Sequence, residues 1–69
     1  MNIKKVLGRK IAKKRTNKEL SQEQLAELAG LNYTYIAKLE RGEINVGVIN
    51  VQKISKALDY PLDELFKNI

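Results

Sequence analysis

Apolar side chains recur every three or four residues along most of the chain, which is the period of an amphipathic helix. Ile3, Leu7 and Ile11 form the first such stripe, and we expect helix 1 to run from about Asn2 to Asn17. Further stripes predict a fourth helix and a short last helix that begins at Pro61: Val48, Val51, Ile54 and Leu58, then Leu62, Leu65 and Phe66. The pattern predicts an all-α protein, a compact bundle of five helices with no strand.

The second and third helices are marked by their end residues. Ser21 is a good N-cap, and Gln24 three residues later completes a capping box. Gly30 ends this helix, because glycine adopts a left-handed conformation at little cost. Asn32 caps the next helix, which ends before Gly42. We expect the inward face of the second helix to comprise Leu25, Ala26, Leu28 and Ala29.

These two helices fit a known motif. Two short helices joined by a tight turn with glycine, the second beginning with polar side chains, form a helix-turn-helix, and residues 22–41 have this arrangement. The small residue Ala26 lies where the two backbones approach, and Gly30 lies in the turn. The expected buried positions are Leu25, Ala29, Leu31, Ile36 and Leu39. The alternative to a helix-turn-helix is an ordinary helical hairpin with a well-formed turn.

Charge is distributed unevenly. The net charge is +5, yet residues 1–18 hold eight Lys or Arg and no acid, whereas residues 19–69 hold five bases and eight acids. This asymmetry favours a polyanionic partner, with nucleic acid ahead of a membrane. Charge alone leaves open that the lysine-rich first helix is only a solvated surface, and Lys5, Arg9 and Lys13 point away from its apolar stripe.

Composition narrows the function further. The 69 residues form one domain, 1–69. The sequence has no Cys and no His, so it lacks a thiolate site, the commonest general base and the commonest transition-metal ligand. We therefore expect neither an enzyme nor a cofactor, a metal or a small-molecule ligand. No apolar run approaches the ~18 residues of a membrane helix, and no signal peptide is evident, so we expect a cytoplasmic protein without membrane contact.

The stretch "LSQEQLAELAGLNYTYIAKLERG", followed by "NVGVINVQKISKALDYPLDEL", resembles the Xre-type group of phage repressor and Cro domains. The likeness extends from about Leu7 to Phe66. Within that group, the short length and "TYIAKLERGEIN" are most similar to controller proteins of restriction–modification systems. The resemblance implies a lambda-repressor-like bundle whose third helix enters the major groove. It also implies a transcriptional regulator that binds palindromic double-stranded DNA as a homodimer.

The resemblance assigns base contacts to Tyr33, Thr34 and Lys38, with Asn32 at the edge of this surface. Thr34 can contact a base or a thymine methyl, and Lys38 can donate to guanine. Tyr33 stands where the family more often has Gln, Arg or Ser. For Tyr33 and Tyr35 the alternative is half-buried aromatic packing.

Contacts with the DNA backbone follow from the same resemblance, which assigns them to Gln22, Tyr35, Arg41, Asn45 and Arg15. Gln22 matches a phosphate-clamping glutamine, and Tyr35 would contribute its hydroxyl. Arg15 and Glu40 also match a family pair that forms an internal salt bridge between helices 1 and 3. The alternative is that Arg15 contacts only phosphate.

Two further expectations concern packing. Lys14 stands where the family usually has an apolar residue, so we expect its stem to pack, its ammonium to reach water and the core there to be loose. Four apolar residues exceed what a small core can cover, and we expect them to form the dimer interface: Tyr60, Leu62, Phe66 and Ile69. The alternative is that Leu62 and Phe66 simply close the bundle.

One competing function belongs to another class. The chain could be a protein-interaction module, such as an antitoxin or an accessory protein that keeps the fold. Specific DNA binding weakens steeply with added salt and loses sequence preference on Thr34→Ala or Lys38→Ala, whereas an interaction module shows neither effect.

Overall fold

Five helices make up the computed structural model, which describes residues 2–69. They are α1 (Ile3–Asn17), α2 (Gln22–Ala29), α3 (Tyr33–Glu40), α4 (Val48–Leu58) and α5 (Leu62–Leu65). Over the described residues there is no strand, which confirms the all-α prediction. Residue 1 of the predicted domain lies outside the described part of the chain.

The core lies where α3 packs against α1 and α2, α2 packs against α4, and α5 packs against α1 and α4. Its buried members come from every helix: Leu7, Ile11, Leu25, Ala26, Ala29, Ile36, Leu39, Val51, Ile54, Leu58 and Leu65. Ile44 and Val46 in the loop between α3 and α4 also pack against it. The loop between α3 and α4 is therefore part of the packed structure.

The predicted ends of α2 and α3 are present. Ser21 accepts a bond from the amide of Gln24 at 3.0 Å, and the Gln24 side chain accepts one from the Ser21 amide at 2.8 Å. Gly30 has φ +69°, the left-handed conformation that ends α2. Asn32 accepts a bond from the amide of Thr34 at 2.7 Å and so begins α3. These contacts satisfy amides that a helix start leaves unpaired.

Three apolar residues expected inside are exposed. Ile3 and Val48 are the first residues of α1 and α4, and both line an open groove, with exposed fractions of 56% and 77%. Leu28 is 61% exposed because α2 is buried along Leu25, Ala26 and Ala29, and Leu28 lies outside that stripe. The predicted inward role of these three residues is wrong.

Two glycines allow α1 to approach the end of α3 closely. A Cβ atom on Gly8 would meet the carbonyl oxygens of Leu39 and Glu40, the latter at 2.7 Å. Gly42, with φ +74°, lies against Lys5, where a Cβ atom would be 2.8 Å from the Lys5 Cα. The C-terminal end of α3 is therefore held against α1 by backbone contact.

The last helix is shorter than the sequence indicates. α5 comprises Leu62–Leu65, with Pro61 as its N-cap, and only Leu65 is buried. The ammonium of Lys10 on α1 donates to the carbonyls of Glu64 and Lys67, at 3.2 and 2.7 Å. These bonds satisfy carbonyls at the end of the chain and attach it to α1.

Lys14 has a partner that the sequence did not indicate. Its ammonium lies 5.0 Å from the centre of the Tyr60 ring, a cation–π geometry. Tyr60 itself is half-buried and packs against the core. The position that the family usually fills with an apolar residue is thus covered by a lysine lying over an aromatic ring.

Candidate nucleic-acid interface

One face of α3 has no protein cover. Thr34, Lys38 and Arg41 follow one another at the i, i+4, i+7 spacing that places side chains on one side of a helix, and all three are exposed. The opposite side is fixed in the core by Ile36 and Leu39. The exposed side therefore presents a hydroxyl, an ammonium and a guanidinium in one row.

The N-terminal tip of α3 is also exposed. Asn32 and Tyr33 are both uncovered, Tyr33 with 47% of its surface exposed. Because the Oδ1 atom of Asn32 accepts the cap bond from Thr34, its amide nitrogen is the group left to donate outward. The four residues expected to contact bases thus lie on one continuous surface open to solvent.

Three side chains connect this surface to the rest of the bundle. Arg15 on α1 donates to Glu40 through Nε at 2.7 Å and Nη2 at 3.0 Å, and through Nη1 to the carbonyl of Leu20 at 2.7 Å. Gln22 donates from Nε2 to Glu40 Oε1 at 2.9 Å. The side chains of Arg15 and Glu40 are only 14% and 5% exposed. This network joins α1, the start of α2 and the end of α3.

These hydrogen bonds affect two of the expected contacts with the DNA backbone, those of Arg15 and Gln22. Three nitrogens of Arg15 are hydrogen-bonded inside the protein, which leaves little of its surface for a phosphate. Its geometry is that of an internal salt bridge. Gln22 uses one N–H for Glu40 and keeps a second N–H, which is held in a fixed orientation at the start of α2. Gln22 therefore retains a donor for a phosphate.

Tyr35 differs from expectation. Its ring packs half-buried against the core, and its hydroxyl is covered and has no hydrogen-bond partner among the described residues. This oxygen is not open to solvent, and the expected contact of the hydroxyl with the DNA backbone stays a prediction. The alternative of aromatic packing describes Tyr35 as the structure has it.

Arg41 is held by a residue that the sequence reasoning missed. Its Nε lies 2.6 Å and its Nη2 3.3 Å from the two carboxylate oxygens of Glu43. The hydrogen bond from Arg41 lowers the pKa of Glu43, and the nearby charge of Lys38 lowers it further, while the same bond raises the pKa of Arg41. The available signal was a carboxylate two residues after Arg41 in a tight turn. Asn45 lies beyond it, exposed.

Two of the three basic residues on the outer side of α1 lie away from this surface. Lys5, Arg9 and Lys13 are all exposed, but Lys5 lies against Gly42 just after α3, whereas Arg9 and Lys13 lie on the side of α1 away from its Gly8 contact with α3. Their charge is available for long-range attraction of a polyanion. They do not extend the exposed row of α3.

The four residues expected at a dimer interface are divided by the structure. Tyr60 and Ile69 pack half-buried on the core, whereas Leu62 and Phe66 are 36% and 43% exposed. Phe66 lines an apolar groove of about 300 Å³ together with Ile3, Val46 and Val48. Leu65, rather than Leu62 or Phe66, closes the bundle.

Neither a membrane-spanning helix nor a metal-binding cluster occurs in the described residues. Between residues 2 and 69, no helix has the length and apolar character needed to cross a membrane. In the same part of the chain, His, Cys, Asp and Glu do not form a group of three or more that could hold a metal ion.

Comparison with known proteins agrees with this architecture. The profile of the helix-turn-helix family matches residues 11–65, so the chain belongs to this family of DNA-binding transcription regulators. More narrowly, it is 42% identical over 69 residues to the control protein C.MunI of Mycoplasma sp, covering 99% of this chain and 93% of that protein. The control protein C.BamHI of Bacillus amyloliquefaciens is 47% identical over 58 residues, 83% of this chain and 72% of that protein.

A solved structure gives the same result. The crystal structure of the restriction–modification controller protein C.AhdI from Aeromonas hydrophila superposes with a TM-score of 0.87 and 44% identity, covering 90% of this chain and 94% of that one. The resemblance to controller proteins noted in the sequence is thereby confirmed. These relatives are named as regulators and not as enzymes.

Proposed function

We propose that this protein regulates transcription by binding a palindromic DNA site as a homodimer, with α3 of each protomer in the major groove. The observation that carries the proposal is the exposed row of Thr34, Lys38 and Arg41 on a helix that is fixed from behind. A major groove about 12 Å wide admits a helix, and residues near its N-terminus reach the base edges. Asn32 and Tyr33 lie at that end.

Each base-facing side chain has a definite role. Lys38 donates to guanine O6 or N7, and Thr34 contacts a base or a thymine methyl. Tyr33 places its exposed ring over a thymine methyl at the tip. Asn32 donates from its amide nitrogen at the edge of the surface. These contacts read sequence, because they address base edges rather than phosphates.

Backbone contacts set the position of the protein on the duplex. Gln22 donates its second N–H to a phosphate beside the free amides at the start of α2, where a helix attracts anions. Arg41 and Asn45 contact the backbone from the other end of α3. Arg15 acts through Glu40 as an internal tie. The basic side of α1 attracts DNA at a distance.

A dimer follows from the geometry of palindromic sites. Half-sites lie about 34–36 Å apart, whereas one protomer measures 29 × 22 × 22 Å. The half-site spacing is larger than one protomer, so two protomers side by side reach both half-sites only if each α3 lies on the side away from the two-fold axis. The supporting surface is the groove that contains Ile3, Val48 and Phe66, with Leu62 one turn before Phe66. Burying this apolar surface in a partner would stabilise the pair.

The dimer surface has its own test. Phe66→Glu should convert the dimer to a monomer in sedimentation equilibrium and weaken DNA binding. Leu28→Glu is the matched control, because Leu28 is equally apolar and more exposed but lies on α2. If both variants sediment like the parent protein, the groove is not the interface.

The biological role is taken from the relatives. Since two are control proteins and a third is a restriction–modification controller, we assign this chain to control of such a system, acting in the cytoplasm without a catalytic step or a small-molecule ligand. Selection of bound duplexes from a random pool tests the function. An enriched palindrome, bound more weakly as salt rises, supports it. A pool without enrichment contradicts it and favours a protein-interaction module.

A further inference from the structure

An acidic side chain lies on the surface that should face DNA. Glu43 pairs with Arg41 through two hydrogen bonds, with 2.6 Å between Nε and Oε2 and 3.3 Å between Nη2 and Oε1. Both side chains remain about half exposed, at 55% for Arg41 and 50% for Glu43. The pair therefore lies at the surface and its partners can separate without disturbing the core.

The position of this pair matters because Arg41 shares its face of α3 with Thr34 and Lys38. The Glu43 carboxylate is consequently brought to the edge of the same exposed row. The hydrogen bond from Arg41 lowers the pKa of Glu43, and the nearby charge of Lys38 lowers it further, so the carboxylate lies within range of both cations. Glu43 thus stays ionised at neutral pH beside the proposed DNA-contacting residues.

Stability does not account for the pair. Exposed ion pairs contribute little to folding, because water screens the charges and two long side chains lose freedom. A carboxylate near phosphates also opposes DNA binding by direct repulsion. The pair is therefore better explained by an effect on how Arg41 meets DNA than by an effect on folding.

We propose, resting on the proposed function, that Glu43 is a specificity-determining residue that holds the Arg41 guanidinium and withholds it from the phosphates of non-specific DNA. A free arginine binds any phosphate, and such contacts supply nearly all non-specific affinity. With two of its N–H groups directed to Glu43, Arg41 presents only its remaining donors in a fixed orientation. The remaining N–H groups of Arg41 reach the DNA backbone only when α3 is bound at its specific DNA sequence.

The test compares two duplexes: one obtained by selection from a random pool, and one of unrelated sequence and equal length. The proteins are the parent, Glu43→Gln, Arg41→Gln and the double variant. Glu27→Gln is the matched control, because it removes an exposed carboxylate from α2 and raises the net charge equally. Affinities for both duplexes are measured over a range of salt concentrations.

Glu43→Gln should bind the unrelated duplex about three- to tenfold more tightly and bind the selected duplex within about twofold of the parent. Its affinity for the unrelated duplex should also fall more steeply with salt, by about one additional ion released. When Arg41→Gln is already present, adding Glu43→Gln should tighten binding of the unrelated duplex by less than half as much. Glu27→Gln should change the affinities for both duplexes by the same factor.

Other results separate the possible failures. If Glu43→Gln behaves like Glu27→Gln while the parent prefers the selected duplex, this inference is wrong and the proposed function stands. If Glu43→Gln mainly weakens binding of the selected duplex, Glu43 reads a base as an acceptor, and the inference is again wrong. If the parent prefers neither duplex, the proposed function fails and the inference fails with it.

Discussion

Gln22 donates a hydrogen bond to Glu40 across the helix-turn-helix, with 2.9 Å between Nε2 and Oε1. Glu40 also accepts two bonds from Arg15, so one carboxylate joins the start of α2, the end of α3 and the C-terminal part of α1. Gln22, the residue proposed to bind a phosphate, is therefore oriented by the same group that holds α3. One carboxylate thus orients both the residue proposed to bind a phosphate and the surface proposed to contact bases.

Removing Glu40 should destabilise the protein strongly. Glu40→Ala leaves the largely covered guanidinium of Arg15 without its counter-charge, and breaking such a pair typically costs about 3 kcal/mol or more. We expect a loss of about 3 kcal/mol in the free energy of unfolding, measured by urea denaturation followed by circular dichroism.

The control is Glu64→Ala, which removes an exposed carboxylate on α5. It should change stability by less than about 0.5 kcal/mol. A Glu40→Ala variant that unfolds at the same urea concentration as the parent would show that the network does not hold the helices together.

The close approach of α1 to α3 gives a second prediction. Gly8→Ala places a methyl group against the backbone carbonyl of Glu40, which cannot move aside as a side chain could. Overpacking of this kind costs about 1–3 kcal/mol, although alanine favours a helix more than glycine does. We expect a net destabilisation of about 1–2 kcal/mol by urea denaturation.

Gly47→Ala is the matched control, because a Cβ atom at Gly47 would have no neighbouring atom within 4 Å and the φ of −76° suits alanine. It loses only the modest preference of an N-cap for glycine, about 0.5 kcal/mol. Equal losses for the two variants would contradict close packing at Gly8.

Much of this arrangement could be predicted from the sequence, because it depends on short-range patterns. The capping box of Ser21 and Gln24, and the left-handed turn at Gly30, follow from local backbone chemistry. Helical spacing alone located most of the core. The family assignment followed from the same stretch, and the comparisons confirm it.

The errors occur where distant parts of the chain decide the outcome. Ile3, Leu28 and Val48 have the right spacing for burial but no neighbour to cover them. The position of the Tyr35 hydroxyl and the bond from Gln22 to Glu40 depend on how helices pack, which periodicity does not specify. The pairing of Arg41 with Glu43 depends on the shape of one turn.

Lys38 should contribute to sequence preference rather than to general affinity. Lys38→Ala should reduce the preference for the selected duplex over an unrelated one by about tenfold, because a good contact with guanine discriminates by about 1–3 kcal/mol. The measurement is fluorescence anisotropy with both duplexes at one salt concentration.

The matched control is Lys13→Ala, which removes the same charge from the far side of α1. It should weaken binding to both duplexes by a similar, smaller factor. If the two variants lower the preference equally, Lys38 contributes only its charge.

The ion pair of Arg41 and Glu43 predicts a pH dependence. Because Arg41 lowers the pKa of Glu43, the pair contributes stability above the pKa that this carboxyl has in the unfolded chain, and the contribution disappears as pH falls through the lower folded pKa. The expected change in unfolding is small, since both groups are exposed. The carboxyl ¹³C shift of Glu43 therefore provides the better measurement.

In Arg41→Gln the midpoint of that titration should move up towards the usual pKa of a glutamate. Lys38→Ala should move it in the same direction by a smaller amount, because Lys38 acts through charge alone. An unchanged midpoint in Arg41→Gln would mean that the pair does not form in solution.

The exposed side of α3 should enter the major groove of the bound DNA. Titration of ¹⁵N-labelled protein with the selected duplex, followed through backbone amide shifts, tests it most directly. We predict that the largest changes fall on residues 32–38 and at Gln22, with small changes at Arg9 and Lys13. Large changes confined to the Arg9 and Lys13 side of α1, with residues 32–38 unaffected, would contradict entry of α3 into the groove.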